Sequence, residues 1–174
     1  MTRDQRGKST SRATDLFAGL VASWIKALSE RRLQAVVEKV LPPSRAQKLE
    51  VGVDPSGHPE NMPPAVIVGR VAHMLGRDGL SDADRVRIQL AIHYLTGAQL
   101  GVVYGSAANR WTWASRGRGS LAGLGIYALM HGSLLPAAGI QRPPWRLPPA
   151  AVIWELTSHL IFGASLETVR RVVW

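Results

Sequence analysis

The sequence predicts an all-α integral membrane protein with four transmembrane helices, an amphipathic interfacial helix and a long polar loop between spans one and two. Three observations carry this prediction. Residues 88–109 (IQLAIHYLTGAQLGVVYGSAAN) and 119–141 (GSLAGLGIYALMHGSLLPAAGIQ) contain no Asp, Glu, Lys or Arg, and each is about as long as the ~20 residues a helix needs to cross a bilayer. A third run of similar length, 147–166, holds one charged residue, Glu155. Charge is also unevenly spread: mean hydropathy is only +0.02, because charged residues crowd the first half and apolar runs fill the second.

The elements follow in order. Residues 1–12, with Arg3, Arg6, Lys8 and Arg12, read as a basic tail ahead of a single membrane domain over 13–170. Span one, about 13–28, is the weakest, because Asp15 and Lys26 bracket a short apolar core; Lys26 also argues against a signal peptide. SERRLQAVVEKVL (29–41) puts Leu33, Val36, Val37, Val40 and Leu41 roughly on one face, an amphipathic helix suited to a membrane surface or a partner. Pro42 and Pro43 stop it. Turn signals mark 44–62 as loop, so 29–86 as a whole reads as an interfacial and loop region. A short helix is expected from Pro63–Pro64, with proline in its first turn. SDADRVR (81–87) supplies an N-cap and an acidic first turn for span two, 87–108. Span three covers 119–140 and span four 148–168. Pro136 is expected to kink span three and free a carbonyl near His131. RPPWRLPP (142–149) reads as a rigid connection.

Arginine placement orients the bundle. Four spans put both termini and the loop between spans two and three on one side, together with Arg3, Arg6, Lys8, Arg12, Arg110, Arg116, Arg118, Arg170 and Arg171. Only Arg142 and Arg146 lie in the loop between spans three and four, so both termini are expected in the cytoplasm, at the bacterial inner membrane. Trp111, Trp113 and Trp174 would mark one interface and Trp145 the other. The formal net charge of +9 does not point to nucleic acid, because the arginines sit at the ends of apolar runs and not in one cluster. The absence of cysteine excludes disulfides, thiolate metal sites and cysteine nucleophiles.

Four ionisable residues fall inside the spans: His93, His131, Glu155 and His159. From helix rise and alternating direction, all four lie roughly 8–16 Å from the non-cytoplasmic interface. In VIWELTSHLIF (152–162), Glu155 and His159 share one helix face. Glycine rows coincide with the polar rows. Gly97, Gly101 and Gly105 continue from His93, Gly119 and Gly123 lead to Tyr127 and His131, and Gly163 follows His159. Small residues at that spacing let helix backbones approach closely.

Three readings of the cluster stay open. It can be hydrogen-bonded glue between helices; it can titrate, carrying protons or lining a solute path; or His93, His131, Glu155 and His159 can hold a metal or haem. Against the last, the spacing is Glu-x-x-x-His where di-iron bundles use Glu-x-x-His. No phosphate loop, nucleophile elbow or HExxH motif is present, so no enzyme activity is expected. His58 and His73 read as ordinary loop and surface residues, and Lys26 with Glu30 as a surface pair.

The segments GLVASWIK (19–26), EKVLPP (38–43), HYLTGAQLGVVYG (93–105), GLGIYALMHGSLLPAAGI (123–140), PPW (143–145) and ELTSHLIFG (155–163) resemble, in this order, the YagU-like family of small bacterial inner-membrane proteins. The resemblance spans roughly 13–170 and implies a multi-pass inner-membrane protein without an assigned activity. SERRLQA, before VVEKVLPP, departs from the pattern and affects the length of the first helix. The expected function is a multi-pass membrane protein whose His/Glu cluster couples to protons or a small solute. The alternatives are a non-catalytic accessory subunit packing through glycine faces, and a metal- or haem-binding bundle. Expected partners are the lipid bilayer and a second copy or another membrane protein. No cofactor is the leading expectation.

Overall fold

The computed structural model describes residues 3–51, 63–77 and 79–173; His58, the part of the expected loop over 52–62, and Trp174 lie outside them. The described elements are helical, with no strand among the described residues. One stretch, Thr112–Ala137, is long and apolar enough to cross a membrane. The four expected spans fall on helices α1 (Arg3–Val40), α4 (Asp82–Arg110), α5 (Ser120–Leu129) continued into α6 (Leu135–Ala137), and α7 (Pro149–Val173).

Helix α1 runs through two expected boundaries. It starts at Arg3 and takes in most of the segment expected as a tail. It then runs unbroken through the stretch expected as a separate interfacial helix. At 1.5 Å per residue it is about 57 Å long, well beyond the ~30 Å of a hydrocarbon core. The apolar face of 29–41 is divided. Leu33 and Val37 pack on Leu147, Ala151 and Trp154 at the start of α7, whereas Val36 and Val40 stay exposed. The region expected as loop also holds α2 (Arg45–Val51), opened by a capping box in which Gln47 N–H donates to Ser44 Oγ and Ser44 N–H to Gln47 Oε1. Helix α3 (Pro63–Met74) starts on its two prolines, and Ser81 caps α4 by accepting from the Asp84 N–H.

The long helices lie in the order α4, α1, α7, α5, with α1 against both α4 and α7, and α7 against both α1 and α5. Two contacts bring backbones together. On α1, Asp15, Gly19 and Ser23 recur every fourth residue and face Gly105, Gly101 and Gly97. A Cβ on Gly101 would come 2.2 Å from the Asp15 carbonyl oxygen, and one on Gly19 2.2 Å from that of Gly97. On the other side, a Cβ on Gly123 would stand 2.1 Å from the His159 carbonyl oxygen, and one on Gly119 2.2 Å from that of Gly163. Between these two contacts, Ala18 and Ala22 of α1 and Tyr104 of α4 meet Phe162 and Leu166 of α7.

The expected kink at Pro136 takes a definite form. A proline here has no N–H to donate, and its ring would press on the carbonyl four residues back. The helix widens into a π turn over Met130–Leu134, with the Leu135 N–H bonded to the Met130 oxygen. His131 sits in this turn. After Ala137 the chain leaves through Gly139 at φ +62°, a left-handed stop suited to glycine. Arg70 of α3 donates to the Ala138 and Gly139 carbonyl oxygens at 2.7 and 2.6 Å, tying α3 to the end of α6.

Small and polar residues share the interior with Tyr104, Tyr127, Trp154, Phe162 and Leu166, while several large apolar residues stay outside. Ala18, Ala22, Ser23, Ala98, Ser158 and the contact glycines are inside, with Asp15, Glu155 and Glu167. Phe17, Leu20, Trp24, Leu95, Val103, Leu124 and Leu129 are outside. The close backbone contacts generate a direct test. Gly123→Ala should destabilise the purified protein by about 1–3 kcal/mol through overpacking. Gly125→Ala, two residues away with nothing within 4 Å of the new methyl, should be neutral or slightly stabilising. Thermal unfolding followed by size-exclusion recovery compares the two; equal losses would sink the close-contact account.

Candidate functional site

Helices α5 and α7 run antiparallel, and the glycine contact fixes their register. Every fourth residue of α5 and its π turn (Gly119, Gly123, Tyr127, His131) meets every fourth residue of α7 taken backwards (Glu167, Gly163, His159, Glu155). Glycine faces glycine at one end, so rings and carboxyl must meet at the other. His131 Nδ1 lies 3.1 Å from Glu155 Oε1 and 2.7 Å from Gln141 Oε1, and Gln141 Nε2 donates to Glu155 Oε2 at 3.4 Å. His159 Nδ1 donates to the Glu155 carbonyl oxygen at 2.8 Å. The rings of His131 and His159 meet edge to face at 4.8 Å, with Tyr127 against both.

His93 stands apart from this group. It reaches from α4 across to α1, where its Nε2 lies 3.3 Å from the Ser23 carbonyl oxygen. It shares a cavity of about 430 Å³ with the other three. Helices α1 and α7 form the polar floor of that cavity, with Ser23, Lys26 and Glu30 from one and Glu155 and His159 from the other. Helix α4 contributes Gln89, His93 and Thr96; His131 comes from the π turn, and α3 adds Pro63, Pro64 and Ile67. The volume falls in the range of roughly 300–1,000 Å³ usual for small-molecule sites.

Lys26 and Glu30, expected as a surface pair, are corrected by this geometry. They form an ion pair inside the cavity lining, and the Ser158 hydroxyl bridges from the Glu155 carbonyl oxygen at 2.8 Å to Glu30 Oε1 at 3.1 Å. The i, i+4 spacing was visible in the sequence; its inward position was not, because the same spacing on an exposed face would read identically. Gln141 was also missed. It lies past the end of the apolar run, and only the left-handed turn at Gly139 folds it back onto His131. Two buried polar atoms near the cluster, Tyr127 OH and Trp154 Nε1, have no hydrogen-bond partner among the described residues.

A further polar group lies at the opposite end of the bundle. Tyr104 OH donates to Glu167 Oε2 at 2.6 Å, Arg171 Nε to Glu167 Oε1 at 2.6 Å, and Arg170 Nε to Asp15 Oδ1 at 3.2 Å. Arg170 also bonds Asn109 Oδ1. Helices α1, α4 and α7 are thereby joined through charge-assisted bonds. Asp15, which weakened the case for span one, is 3% exposed and paired.

The histidine protons can be assigned. A carbonyl oxygen only accepts, so His159 carries its proton on Nδ1 and His93 on Nε2; His131 Nδ1 faces only oxygens that accept. No group of three or more His, Asp or Glu among the described residues is arranged to hold a metal ion. The four candidate ligands named from the sequence instead divide into His93 on one wall and His131, Glu155 and His159 on the other. The arrangement suits hydrogen bonding to a small polar group and proton exchange at a carboxyl.

No curated protein and no solved structure matches the chain. A family model described as a protein of unknown function, DUF1440, matches residues 33–168, which takes in the end of α1, α2 to α6, most of α7, and His93, His131, Glu155 and His159. The chain belongs to the DUF1440 family.

Proposed function

We propose that this chain is a four-span, non-enzymatic inner-membrane protein in which Glu155, with His131 and His159, couples proton exchange to a small solute held in the cavity. The observation that carries the reading is the cavity itself, where a buried carboxyl, three imidazoles and a Lys26–Glu30 pair line one small-molecule-sized space. Ionisable groups in a membrane interior are costly and mark ion or solute pathways. The exposed apolar residues and the close helix contacts through small ones support the four spans, because packing in lipid relies on such contacts. The resemblance to YagU-like proteins supports the inner membrane. Arginine placement supports cytoplasmic termini, which puts the Asp15–Arg170 end in the cytoplasm and the cavity nearer the other side.

A glycine face left open to lipid would favour the accessory-subunit alternative. The rows at Gly97, Gly101 and Gly105 and at Gly119, Gly123 and Gly163 are instead occupied within the chain, which favours the coupling reading.

Two experiments test the proposal. The chain has no cysteine, so single introduced cysteines report topology cleanly. Ser115→Cys should react with a membrane-impermeant maleimide only after the inner membrane is opened, and Arg142→Cys in intact spheroplasts. The reverse pattern would overturn the orientation, and labelling of both in intact spheroplasts would overturn the four spans. For coupling, protein in liposomes carrying a trapped pH dye should pass protons down an imposed pH gradient. Glu155→Gln should lower that flux at least about tenfold, as loss of a required proton-transfer group does, with Gly125→Ala as a folded control. A flux indifferent to Glu155→Gln returns the cluster to a packing role.

A further inference from the structure

The polar floor of the cavity is rich in acceptors. Each histidine has one ring nitrogen committed to a protein oxygen: Nδ1 of His131 to Gln141 and Glu155, Nδ1 of His159 to the Glu155 carbonyl, Nε2 of His93 to the Ser23 carbonyl. In the neutral ring the other nitrogen is then a lone pair, an acceptor. No protein partner engages His131 Nε2, His159 Nε2 or His93 Nδ1 among the described residues. To these acceptors the lining adds the carboxyls of Glu30 and Glu155 against a single cation, Lys26, already paired with Glu30. A chain of net charge +9 therefore encloses a space in which acidic side chains outnumber basic ones. Around the floor the walls are apolar, with Ile67, Leu90, Leu100, Ile126, Leu135 and Phe162.

From this charge balance and the unengaged imidazole acceptors we infer that the cavity binds an amphiphilic organic cation, a protonated primary or secondary amine on an apolar body. The ammonium N–H groups supply the donors that the imidazole lone pairs lack. The positive charge pairs with Glu155, and Trp154 in the lining is an aromatic neighbour of the kind that suits a cation. An anion would meet Glu30 and Glu155, and a neutral alcohol would leave the excess charge unmatched. This assignment rests on the coupling reading and gives it a stoichiometry. Glu155 holds either a proton or the ammonium, so one proton leaves to solvent as one cation enters. The groups that face Glu155 and share in its titration are Lys26 and Glu30 from α1, His93 from α4, His131 from the π turn, and His159 on its own helix.

The test uses full-length protein in lipid nanodiscs and radiolabelled phenethylamine, with protein-free discs subtracted. Its isosteres are 3-phenylpropionate, an anion, and 2-phenylethanol, a neutral donor. Phenethylamine should bind saturably at one per chain, with neither isostere displacing it at tenfold excess. Its affinity should fall as the pH is lowered from about 8 to about 6, because protons compete for the carboxylate. Glu155→Gln should weaken binding at least about tenfold and flatten that pH dependence. Lys26→Gln, which leaves Glu30 without its cation, should strengthen binding, and it carries the test alone if Glu155→Gln does not fold. Displacement by either isostere, or a Lys26→Gln variant that binds no better, would overturn the assignment. If phenethylamine does not bind while liposome proton flux still requires Glu155, the ligand class is wrong and the coupling stands. If neither is seen, both fall.

Discussion

The antiparallel meshing of α5 with α7 is the constraint from which the rest of the site follows. At Gly119, Gly123 and Gly163 the two backbones are so close that a methyl group would overlap a carbonyl oxygen. Such a contact has little freedom to slide, because a shift of one residue would bring side chains into it. With the glycines opposed, the residues further along the same rows have no choice of partner. Tyr127 meets His159, and His131 meets Glu155. The catalogue of polar contacts at one end of the bundle is thus set by small residues at the other. The α1–α4 contact repeats the device. Asp15, Gly19 and Ser23 lie against Gly105, Gly101 and Gly97, and the next residue along, His93, is delivered to the Ser23 carbonyl.

Burying charge in this way is tolerable only where each group has somewhere to turn. A carboxyl in a low-dielectric interior is costly unless paired or hydrogen-bonded. The bundle places its acids where partners converge: Glu155 under His131 and Gln141, Glu30 beside Lys26 and Ser158, Glu167 between Tyr104 and Arg171, Asp15 on Arg170. The two ends differ in kind, however. At the Asp15 end the carboxylates meet guanidinium groups, which stay charged under any physiological condition. Around Glu155 itself the partners are an imidazole and an amide, neither of which fixes a charge state. One end is suited to holding the helices together, the other to exchanging protons, with Ala18, Ala22, Phe162 and Leu166 between them.

Much of this was legible in the sequence, for a physical reason. Rows spaced by four residues are a one-dimensional pattern, and helices turn them into faces. The glycine rows, the Glu155–His159 pair and the positions of the four long helices could therefore be read directly. The capping serine ahead of α4 was equally plain. What could not be read depends on contacts between distant segments. Nothing in the order of residues says that Asp15 meets Arg170 or that Arg70 reaches the end of α6. Lys26 and Glu30 show the same limit from another side, since spacing places them on one face without saying what that face looks onto. Pro136 announced a disturbance, but its form, a π turn that turns His131 toward Glu155, depends on α7 standing beside it.

That turn also bears on why a cavity exists at all. Four straight helices with small residues at their contacts would close on one another and leave little space. Here the glycine contacts draw α4 onto α1 and α5 onto α7, while α1 and α7 are separated only by alanine against Phe162 and Leu166. The order α4, α1, α7, α5 leaves the outer two helices without extensive contact of their own. The π turn shifts the far half of the third helix, and α3, held at the end of α6 by Arg70, sets Pro63, Pro64 and Ile67 into the remaining side. The open volume is therefore a product of where the close contacts stop. Small residues bring the helices together at one end, and once they give way to histidine, glutamate and a proline-widened turn, the same helices can no longer meet.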